Sequence, residues 1–395
     1  MTAHRTLPAG VALAGSAVAF TSLYLAAGSL TPLLVLYRQQ WQFAPSMLTL
    51  AFAVYAAGFL VAALTLGSLS DHLGRRPVLI GTLVVQLASN AVFLVAPDVG
   101  WVIAGRIVQG VASGAATAAF TAALVELAPA HLKRLGSILG SVCLTGGLAA
   151  GSLLAGLAAQ LSPSANTIVF GILIALTVVG GVTVLLSPET MPRNPGTAQS
   201  LLPRVTVPPA ARAEFAAAAP VAAAVWMLAG LSGGLAPSLI RSVFALDSGF
   251  LNGLTGFIAP AVSTVVGLSF AKVDPRRAMT IGIWASIAGA VGIIAGVLLG
   301  SLPLMIAGQA VAGVGFGAAF TATLRLVLPL AEPQKRAGVV AAIYVVSYVA
   351  FGLPIVVEGQ LVGVIGKIPA VVGYTALALA FTVVSLIAQA RLKRR

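Results

Sequence analysis

The chain has 395 residues, of which 59% are hydrophobic and only 8% are charged. Soluble globular domains carry about 25% charged residues, so this composition excludes a water-facing surface over most of the chain and predicts that lipid is its solvent. The formal net charge of +13 comes from basic residues in short clusters between apolar runs, not from one patch suited to nucleic acid. Cys143 is the only cysteine, which excludes an internal disulfide and a cysteine-based metal site.

Twelve apolar runs have the length of about 20 residues that a membrane-crossing helix needs. The first six lie at about 12–36, 47–69, 78–96, 100–127, 136–159 and 165–187. The second six lie at about 214–240, 249–271, 278–300, 302–330, 336–360 and 367–390. A polar, proline-rich stretch separates the two sets. The sequence therefore predicts an all-α membrane protein with a six-helix bundle in residues 1–187, a linker in 188–212 and a second bundle in 213–395.

The basic residues indicate how the spans are oriented. Seventeen of the 22 lie in the termini, the linker and alternate loops, whereas Arg38, Arg241 and Lys367 lie on the opposite side and Arg106 and Arg325 fall within spans. Because loops rich in lysine and arginine stay in the cytoplasm, both termini and the linker are predicted to be cytoplasmic. Termini on one side require an even number of spans, which agrees with twelve.

The two halves are related by an internal repeat with a shift of 203 residues. GRIVQGVASGA (105–115) aligns with GQAVAGVGFGA (308–318), and Asp71 aligns with Asp274, each followed by two arginines. Parallel repeats of six spans are a transporter architecture in which the substrate binds between the halves.

The loop between spans 2 and 3 reads GSLSDHLGRRPVL (67–79). Its glycines allow a close helix approach and a tight reversal, and its aspartate sits at a helix end beside two arginines. The loop resembles the signature loop of the major facilitator superfamily, Gly-x-x-x-Asp-Arg-x-Gly-Arg-Arg, with His72 where an arginine is usual. The match covers Gly67, Asp71, Gly74, Arg75 and Arg76. The resemblance implies two pseudo-symmetric bundles and a cytoplasmic latch between them. The alternative is that the arginines only follow the enrichment of basic residues in cytoplasmic loops.

Span 4 carries a charge a few residues below its outer end. At about 100° per residue, Ser113 and Thr117 each fall within about 20° of Arg106, with Gln109 about 60° away. A guanidinium at this depth is costly unless it faces a cavity or a partner. GRIVQG also resembles the superfamily's helix-4 motif Arg-x-x-Gln-Gly, which is linked to proton coupling in its antiporters. Snorkelling to the outer headgroups is the alternative.

Span 4 ends in ELAPAHLKRLG (126–136), which resembles the family pattern Glu-x-x-Pro followed by a basic residue and glycine. The resemblance implies a cytoplasmic ion-pair gate formed by Glu126, Arg75, Arg76 and Arg134. AEPQKRAG (331–338) is the repeat partner of this segment, and PET (188–190) after span 6 also resembles a common family ending.

Span 5 bears on the direction of transport. Drug:proton antiporters of the superfamily carry Gly-x-x-x-Gly-Pro-x-x-Gly-Gly there, where this chain has Gly147, Gly151, Ser152, Ala155 and Gly156. Three of the five residues match, and the proline is missing.

Two further charges lie within spans. Glu358 shares a face of span 11 with Tyr344, with Tyr348 nearby, so it could bind a cation or carry a proton; a wetted residue at the outer mouth is the alternative. With Arg106 it is a proton-coupling candidate. Arg325 either binds substrate or snorkels inward. The candidates for lining a substrate cavity are Tyr24, Gln109, Ser113, Trp226, Arg325, Tyr344 and Tyr348.

Enzymatic activity is not expected. The three histidines lie far apart in cytoplasmic segments, no Ser/His/Asp arrangement is visible, and no phosphate-binding Gly-x-x-x-x-Gly-Lys loop is present. The chain is therefore predicted to be a monomeric secondary transporter of the bacterial inner membrane, without cofactor, metal or nucleic-acid partner. The leading hypothesis for its function is the efflux of a small amphipathic or hydrophobic molecule in exchange for protons. Proton-coupled uptake (symport) or uniport of a small metabolite is the alternative.

Overall fold

The structure, a computed structural model, describes residues 6–195 and 201–392. Across these two ranges, twelve helices are long and apolar enough to cross a membrane, and no strand occurs. In chain order these helices are α1 (Ala9–Trp41), α2 (Pro45–Leu66), α3 (Arg75–Val95), α4 (Val99–Leu127), α5 (Ala130–Leu161), α6 (Ala165–Leu185), α7 (Pro209–Ser242), α8 (Gly249–Lys272), α9 (Pro275–Leu298), α10 (Leu302–Leu330), α11 (Pro333–Ile365) and α12 (Lys367–Leu392). The predicted all-α fold with twelve spans is confirmed. The predicted cytoplasmic termini and the centre of the linker, at residues 1–5, 393–395 and 196–200, lie outside the described residues.

The end of α1 shows why hydropathy places helix boundaries imperfectly. The helix continues past Arg38 to Trp41, and the rings of Tyr37 and Trp41 stack with their centroids 4.7 Å apart. Gln42 then adopts a positive φ of 52°, and its backbone N–H donates to the carbonyl of Arg38 at 3.0 Å. A left-handed residue that satisfies a terminal carbonyl in this way is a helix cap. The cap, and not the last apolar residue, therefore ends the helix.

The chain forms two compact units. The first comprises Met1–Leu33 and Ala57–Pro203, and the second comprises Leu34–Ala56 and Arg204–Arg395. The second unit thus includes the last part of α1 and the first part of α2 besides α7 to α12. The division at the linker into bundles 1–187 and 213–395, which follows chain order alone, stays a prediction.

In the first unit, α5 packs closely on α1 through small residues. A Cβ added at Gly147 would lie 2.9 Å from the Cβ of Tyr24, and one added at Gly151 would overlap the carbonyl of Leu25. Ser29 of α1 donates to the carbonyl of Gly151 at 3.1 Å. Membrane helices gain their packing energy from such close backbone approach. The glycines of span 5 are therefore explained by helix packing.

In the second unit, α9 and α10 make a similar contact over most of their length. Gly282, Gly289 and Gly296 recur every seven residues on α9, and each lies against the backbone of α10. At Gly289, an added Cβ would lie 2.6 Å from the backbone nitrogen of Ala312.

The helix α7 is irregular in its second half. Residues Leu231–Leu235 form one wide π turn, and the helix then resumes at Ala236–Ser242 with Pro237 in its first turn. The sequence LSGGLAP supplies two glycines and a proline, so the regular hydrogen-bond ladder is weakened here. Single π turns inside α-helices are frequent at functional sites.

Candidate functional site

Arg75 is the centre of an ion-pair cluster in the first unit. It begins α3 and is 9% exposed. Its guanidinium donates to Asp71 at 2.5 Å, to the hydroxyl of Ser70 at 2.6 Å and to Glu126 at 3.0 Å. Charge-assisted bonds of this kind are about twice as strong as neutral ones. One cation therefore holds the short helix Ser70–Leu73 to the end of α4.

A second carboxylate caps the start of α3. Glu189 Oε1 accepts from the backbone N–H of Arg75 at 2.7 Å, and Oε2 accepts from that of Arg76 at 3.1 Å. The preceding Gly74 has a φ of 95°, and a Cβ there would lie 2.7 Å from Glu189 Oε2. A negative charge at a helix N-terminus is favourable because unpaired N–H groups and the helix dipole meet there. Gly74 therefore both reverses the chain and admits the capping carboxylate.

The segment after α6 also reaches the cluster. Thr190 Oγ1 donates to Glu126 Oε2 at 2.6 Å, so Glu126 is held by both Arg75 and Thr190. The PET segment was matched only to a common family ending, and no role for Glu189 or Thr190 was predicted. A signal for this role was present in the sequence. Glu189 lies two residues beyond predicted span 6, where its carboxylate can reach the positive N-terminal ends of neighbouring helices.

Two arginines that were predicted to join Glu126 are placed elsewhere. Arg76 donates from its guanidinium to the carbonyl of Ser187 at 3.3 Å. Arg134 is exposed and forms no ion pair with any residue that the structure describes. The end of α4 is instead bound by Lys133, whose ammonium donates to the carbonyls of Val125 and Glu126 at 2.9 and 3.1 Å. The predicted four-residue cluster thus contains a single arginine, Arg75.

Gly67 does not serve the purpose that the sequence suggested. A Cβ at this position would overlap the carbonyl oxygen of Ala63 in the same helix, α2. The glycine is therefore required by the local turn at the end of α2. The close approach of a neighbouring helix, which was the expected reason, is not what the position accommodates.

Buried polar side chains lie along α4 in the first unit. Arg106 is 2% exposed, and its guanidinium donates to Gln109 Oε1 at 2.7 Å. Farther along α4, the hydroxyl of Thr117 lies 2.7 Å from that of Tyr24. Gln109 Nε2 and the hydroxyl of Ser113 are buried and have no hydrogen-bond partner among the described residues. Unpaired buried polar atoms are costly, so they mark a place where a ligand would be favourable.

Two polar residues of α3 were not predicted as site residues. Gln86 and Asn90 are fully buried one helical turn apart, and Gln86 Nε2 donates to Asn90 Oδ1 at 2.9 Å. Gln86 Oε1 and Asn90 Nδ2 have no partner within the described ranges. Their spacing of four residues in an apolar span was the sequence signal.

The second unit has its own ion pair, which sequence reasoning missed. Glu214 of α7 is 5% exposed and accepts from both terminal nitrogens of Arg276 at 2.8 and 2.5 Å. Gln389 of α12 accepts from the same guanidinium at 3.0 Å. By contrast, Glu332 in the predicted repeat partner AEPQKRAG forms only an exposed pair with Lys335.

An aromatic group surrounds Trp226 in the second unit. Its ring centroid lies 4.7 Å from that of Tyr348, 5.4 Å from Phe316, 5.7 Å from Phe320 and 5.8 Å from Phe351. Tyr344 packs on Tyr348 at 6.1 Å. The indole N–H of Trp226 is buried and finds no acceptor in the part of the chain that is described. The candidates Trp226, Tyr344 and Tyr348 are thus brought together by α7 and α11.

Glu358 lies on α11 in the same unit and is 3% exposed. Its Oε1 has no hydrogen-bond partner among the described residues. With Arg38 and Lys367 it lines a small cavity of about 20 Å³ beside the π turn of α7. Both basic residues were predicted only as markers of topology, so their place beside Glu358 was missed.

Arg325 lies near the C-terminal end of α10. Its guanidinium donates to the carbonyl of Phe270 at the end of α8, at 3.1 Å. Cations at helix C-termini are favourable because they satisfy terminal carbonyls. This contact is a structural use of Arg325, and its predicted contact with substrate stays a prediction.

Twelve membrane-spanning helices and two units with buried polar groups in their interiors define a multi-pass transporter. The chain belongs to the Major Facilitator Superfamily, whose family model matches residues 16–354. It is a transporter and not an enzyme, as the sequence predicted.

Two curated relatives match over part of their length. The chain is 31% identical over 145 residues to the class C tetracycline resistance protein of Escherichia coli and 32% identical over 113 residues to the class E protein. These matches cover 36% and 29% of this chain and 36% and 28% of the relatives, so the chain is matched over about a third of their length. The structure of a POT family transporter in complex with 5-aminolevulinic acid superposes with a TM-score of 0.76 over 97% of this chain and 96% of that one, at 13% identity. That likeness shows the fold alone.

Proposed function

We propose that this protein exports a small amphipathic or hydrophobic molecule across the bacterial cytoplasmic membrane in exchange for protons. The observation that carries the proposal is the local similarity to two tetracycline resistance proteins within a superfamily of transporters. Both termini and the linker would face the cytoplasm, and the protein would act as a monomer by alternating access. Tetracycline is the first substrate to test.

In this proposal, Arg75 and its partners form a cytoplasmic gate. Opening the gate would break the bonds from Arg75 to Asp71 and Glu126, which are 2.5 and 3.0 Å long. The two acids are 49% and 31% exposed, so water can replace the lost bonds at modest cost. Such a cluster is suited to repeated opening, whereas a fully buried pair would hold one state too firmly.

Glu358 is the proposed proton carrier. It is buried within a span, and one of its carboxylate oxygens has no partner in the described chain. A proton taken up by this carboxylate removes a charge that is costly to keep in a lipid-embedded interior. Because the neutral and ionised forms favour different surroundings, protonation can bias one conformation over another. Arg106, the second candidate, supplies a buried positive charge in the first unit.

The residues proposed to contact the substrate are Tyr24, Gln109 and Ser113 in the first unit and Trp226, Tyr344 and Tyr348 in the second. Aromatic rings provide apolar area with little conformational freedom to lose on binding. The unpaired atoms of Gln109, Ser113 and Trp226 supply a few polar contacts that can orient the ligand. This combination supports an amphipathic cargo.

The test is proton-driven export of tetracycline. Everted membrane vesicles from an expressing strain should accumulate tetracycline when their interior is acidified and should lose it when a protonophore is added. Glu358→Gln should abolish the accumulation while purified protein still binds the drug. Glu332→Gln, which changes an exposed acid paired with Lys335, is the matched control and should transport at the wild-type rate. Uphill transport by Glu358→Gln at the wild-type rate would place proton coupling elsewhere.

The same vesicles distinguish the alternatives. Symport would drive substrate out of acidified vesicles, and uniport would equilibrate it without responding to the gradient. Either result would overturn export by antiport.

Orientation is tested separately by cysteine labelling after Cys143→Ser. A membrane-impermeant thiol reagent applied to intact cells should label a cysteine at Ser164, in the loop between α5 and α6, and not one at Leu202 in the linker. Both positions are exposed. Labelling at Leu202 would reverse the proposed topology.

A further inference from the structure

A cavity of about 390 Å³ opens in the second unit, where α1 and α7 end and α12 begins. Three basic residues from these helices line it: Arg38, Arg241 and Lys367. No aspartate or glutamate contributes to its lining within the described residues, and Asp247 in the adjoining loop does not reach it. The lining of the cavity therefore carries three positive charges and, within the described residues, no negative one.

The cations are also short of hydrogen-bond partners. The guanidinium groups of Arg38 and Arg241 make no hydrogen bond or ion pair with any part of the described chain. Lys367 is half-buried, and its ammonium donates to the carbonyl of Ser238 at 3.0 Å. Each guanidinium offers five N–H donors and an ammonium three, so many donors face the cavity unused.

Two further features of the cavity indicate an organic anion as its ligand. Lys367 is the first residue of α12, so the free N–H groups at the start of a 26-residue helix add to the positive potential. Val35 and Leu48 form an apolar side of the cavity. The combination suits a charged head attached to a small apolar body better than a bare inorganic ion.

Glu358 lies next to this site. It lines the adjoining small cavity together with Arg38 and Lys367, so these two cations are shared between the cavities. Tyr374 of α12 is the other titratable group beside Glu358, and its hydroxyl donates to the carbonyl of Met227 at 2.8 Å. An ionised Glu358 would oppose an anion bound in the larger cavity.

We propose that the cavity binds a small organic acid through its anionic head, a carboxylate, sulfonate or phosphate monoester. Arg38, Arg241 and Lys367 hold the charge, and Val35 and Leu48 contact the apolar part. Neutralising Glu358 strengthens the binding. The inference goes beyond the proposed function, because it holds for either direction of transport and is measured without any transport.

Benzoate is the probe, and full-length protein in phosphatidylcholine nanodiscs is the sample. Isothermal titration should detect benzoate and not benzyl alcohol, its uncharged analogue. Arg38→Gln and Lys367→Gln should each weaken binding about tenfold or more, the effect of losing one charge-assisted bond. Lys272→Gln removes an exposed cation that lines neither cavity, and should leave the affinity unchanged. Glu358→Gln should bind benzoate more tightly than the wild type.

The opposite sign expected for Glu358→Gln separates a charge effect from damage to the fold. Equal affinities for the wild type, Arg38→Gln and Lys367→Gln would overturn the proposal, as would weaker binding by Glu358→Gln. Absence of binding by both benzoate and inorganic phosphate would overturn it too. Nanodiscs that contain phosphatidylglycerol identify the source of the anion: unchanged benzoate affinity supports a soluble acid, and competition supports the same site filled by a lipid phosphate.

Discussion

Replacing either acid that binds Arg75 by its amide tests how the gate cluster is held together. Glu126→Gln and Asp71→Asn are nearly isosteric changes that remove one negative charge each. They differ in what the carboxylate does. Glu126 accepts from Arg75 at 3.0 and 3.3 Å and from Thr190 at 2.6 Å, whereas Asp71 accepts one bond from Arg75 at 2.5 Å.

The size of each effect follows from exposure. A hydrogen bond to a charged group contributes about 1.5–3 kcal/mol when buried, and the 31% exposure of Glu126 reduces its expected share to about 1–2 kcal/mol. Asp71 is 49% exposed, so its pair with Arg75 should contribute about 0.2–1 kcal/mol, as surface salt bridges do. Glu126→Gln should therefore destabilise the protein about twice as much as Asp71→Asn, or more.

Thermal unfolding of the purified variants in detergent measures the difference, and a double-mutant cycle with Arg75→Gln isolates each pair. The coupling energy between Arg75 and Glu126 should exceed that between Arg75 and Asp71. If Asp71→Asn costs as much stability as Glu126→Gln, or if its coupling to Arg75 is the larger, then exposure does not set the strength of this cluster and the reasoning fails.

Three further outcomes are expected. Glu214→Gln should lower the unfolding temperature by several degrees because it weakens a bidentate pair whose carboxylate is buried, while Glu332→Gln should not change it; equal shifts would show that burial of the acid does not matter here. Gly151→Ala should reduce the yield of folded protein because the added methyl group overlaps the backbone of α1. Gly171→Ala, whose methyl group meets no atom within 4 Å, is the control and should be tolerated. Similar yields would contradict the close contact between α1 and α5. Tyr24→Phe should lose its hydroxyl bond to α4 and about 0.5–1.5 kcal/mol of stability, and an unchanged unfolding temperature would show that this bond is not formed.

Features that depend on neighbouring residues could be anticipated from the sequence. The twelve spans follow from hydropathy, because a membrane interior demands long apolar helices whatever their tertiary contacts. Gly74 is similar, since a glycine between two helical segments is needed where φ is positive. The closeness of Arg75 and Glu126 was suggested only by the family resemblance, because 51 residues separate them.

Features that depend on distant residues could not be anticipated. Glu214 lies in an alanine-rich helix start, and its partner Arg276 is 62 residues away, so neither hydropathy nor spacing links them. Lys367 was counted as a loop charge because it stands at a span boundary, yet the fold carries it to Glu358. Arg134 was assigned to the gate by the family resemblance, whereas it is the side chain of Lys133 that reaches the end of α4. The rotation of a helix about its axis decides which of two adjacent cations points inward. Hydropathy places a helix boundary only to within a few residues and therefore does not predict this rotation.

The seven-residue spacing of Gly282, Gly289 and Gly296 restricts how the second unit can deform. Contacts that repeat every seven residues stay on one side of a helix and follow a left-handed crossing, so α9 and α10 touch backbone to backbone at three successive levels. Because the backbones touch at these three levels, the interface leaves little room for one helix to slide or tilt against the other. In any motion of this unit, α9 and α10 should then move together as one rigid pair of helices. The helix suited to bending is α7, because its π turn at Leu231–Leu235 lacks the regular hydrogen bonds that resist bending.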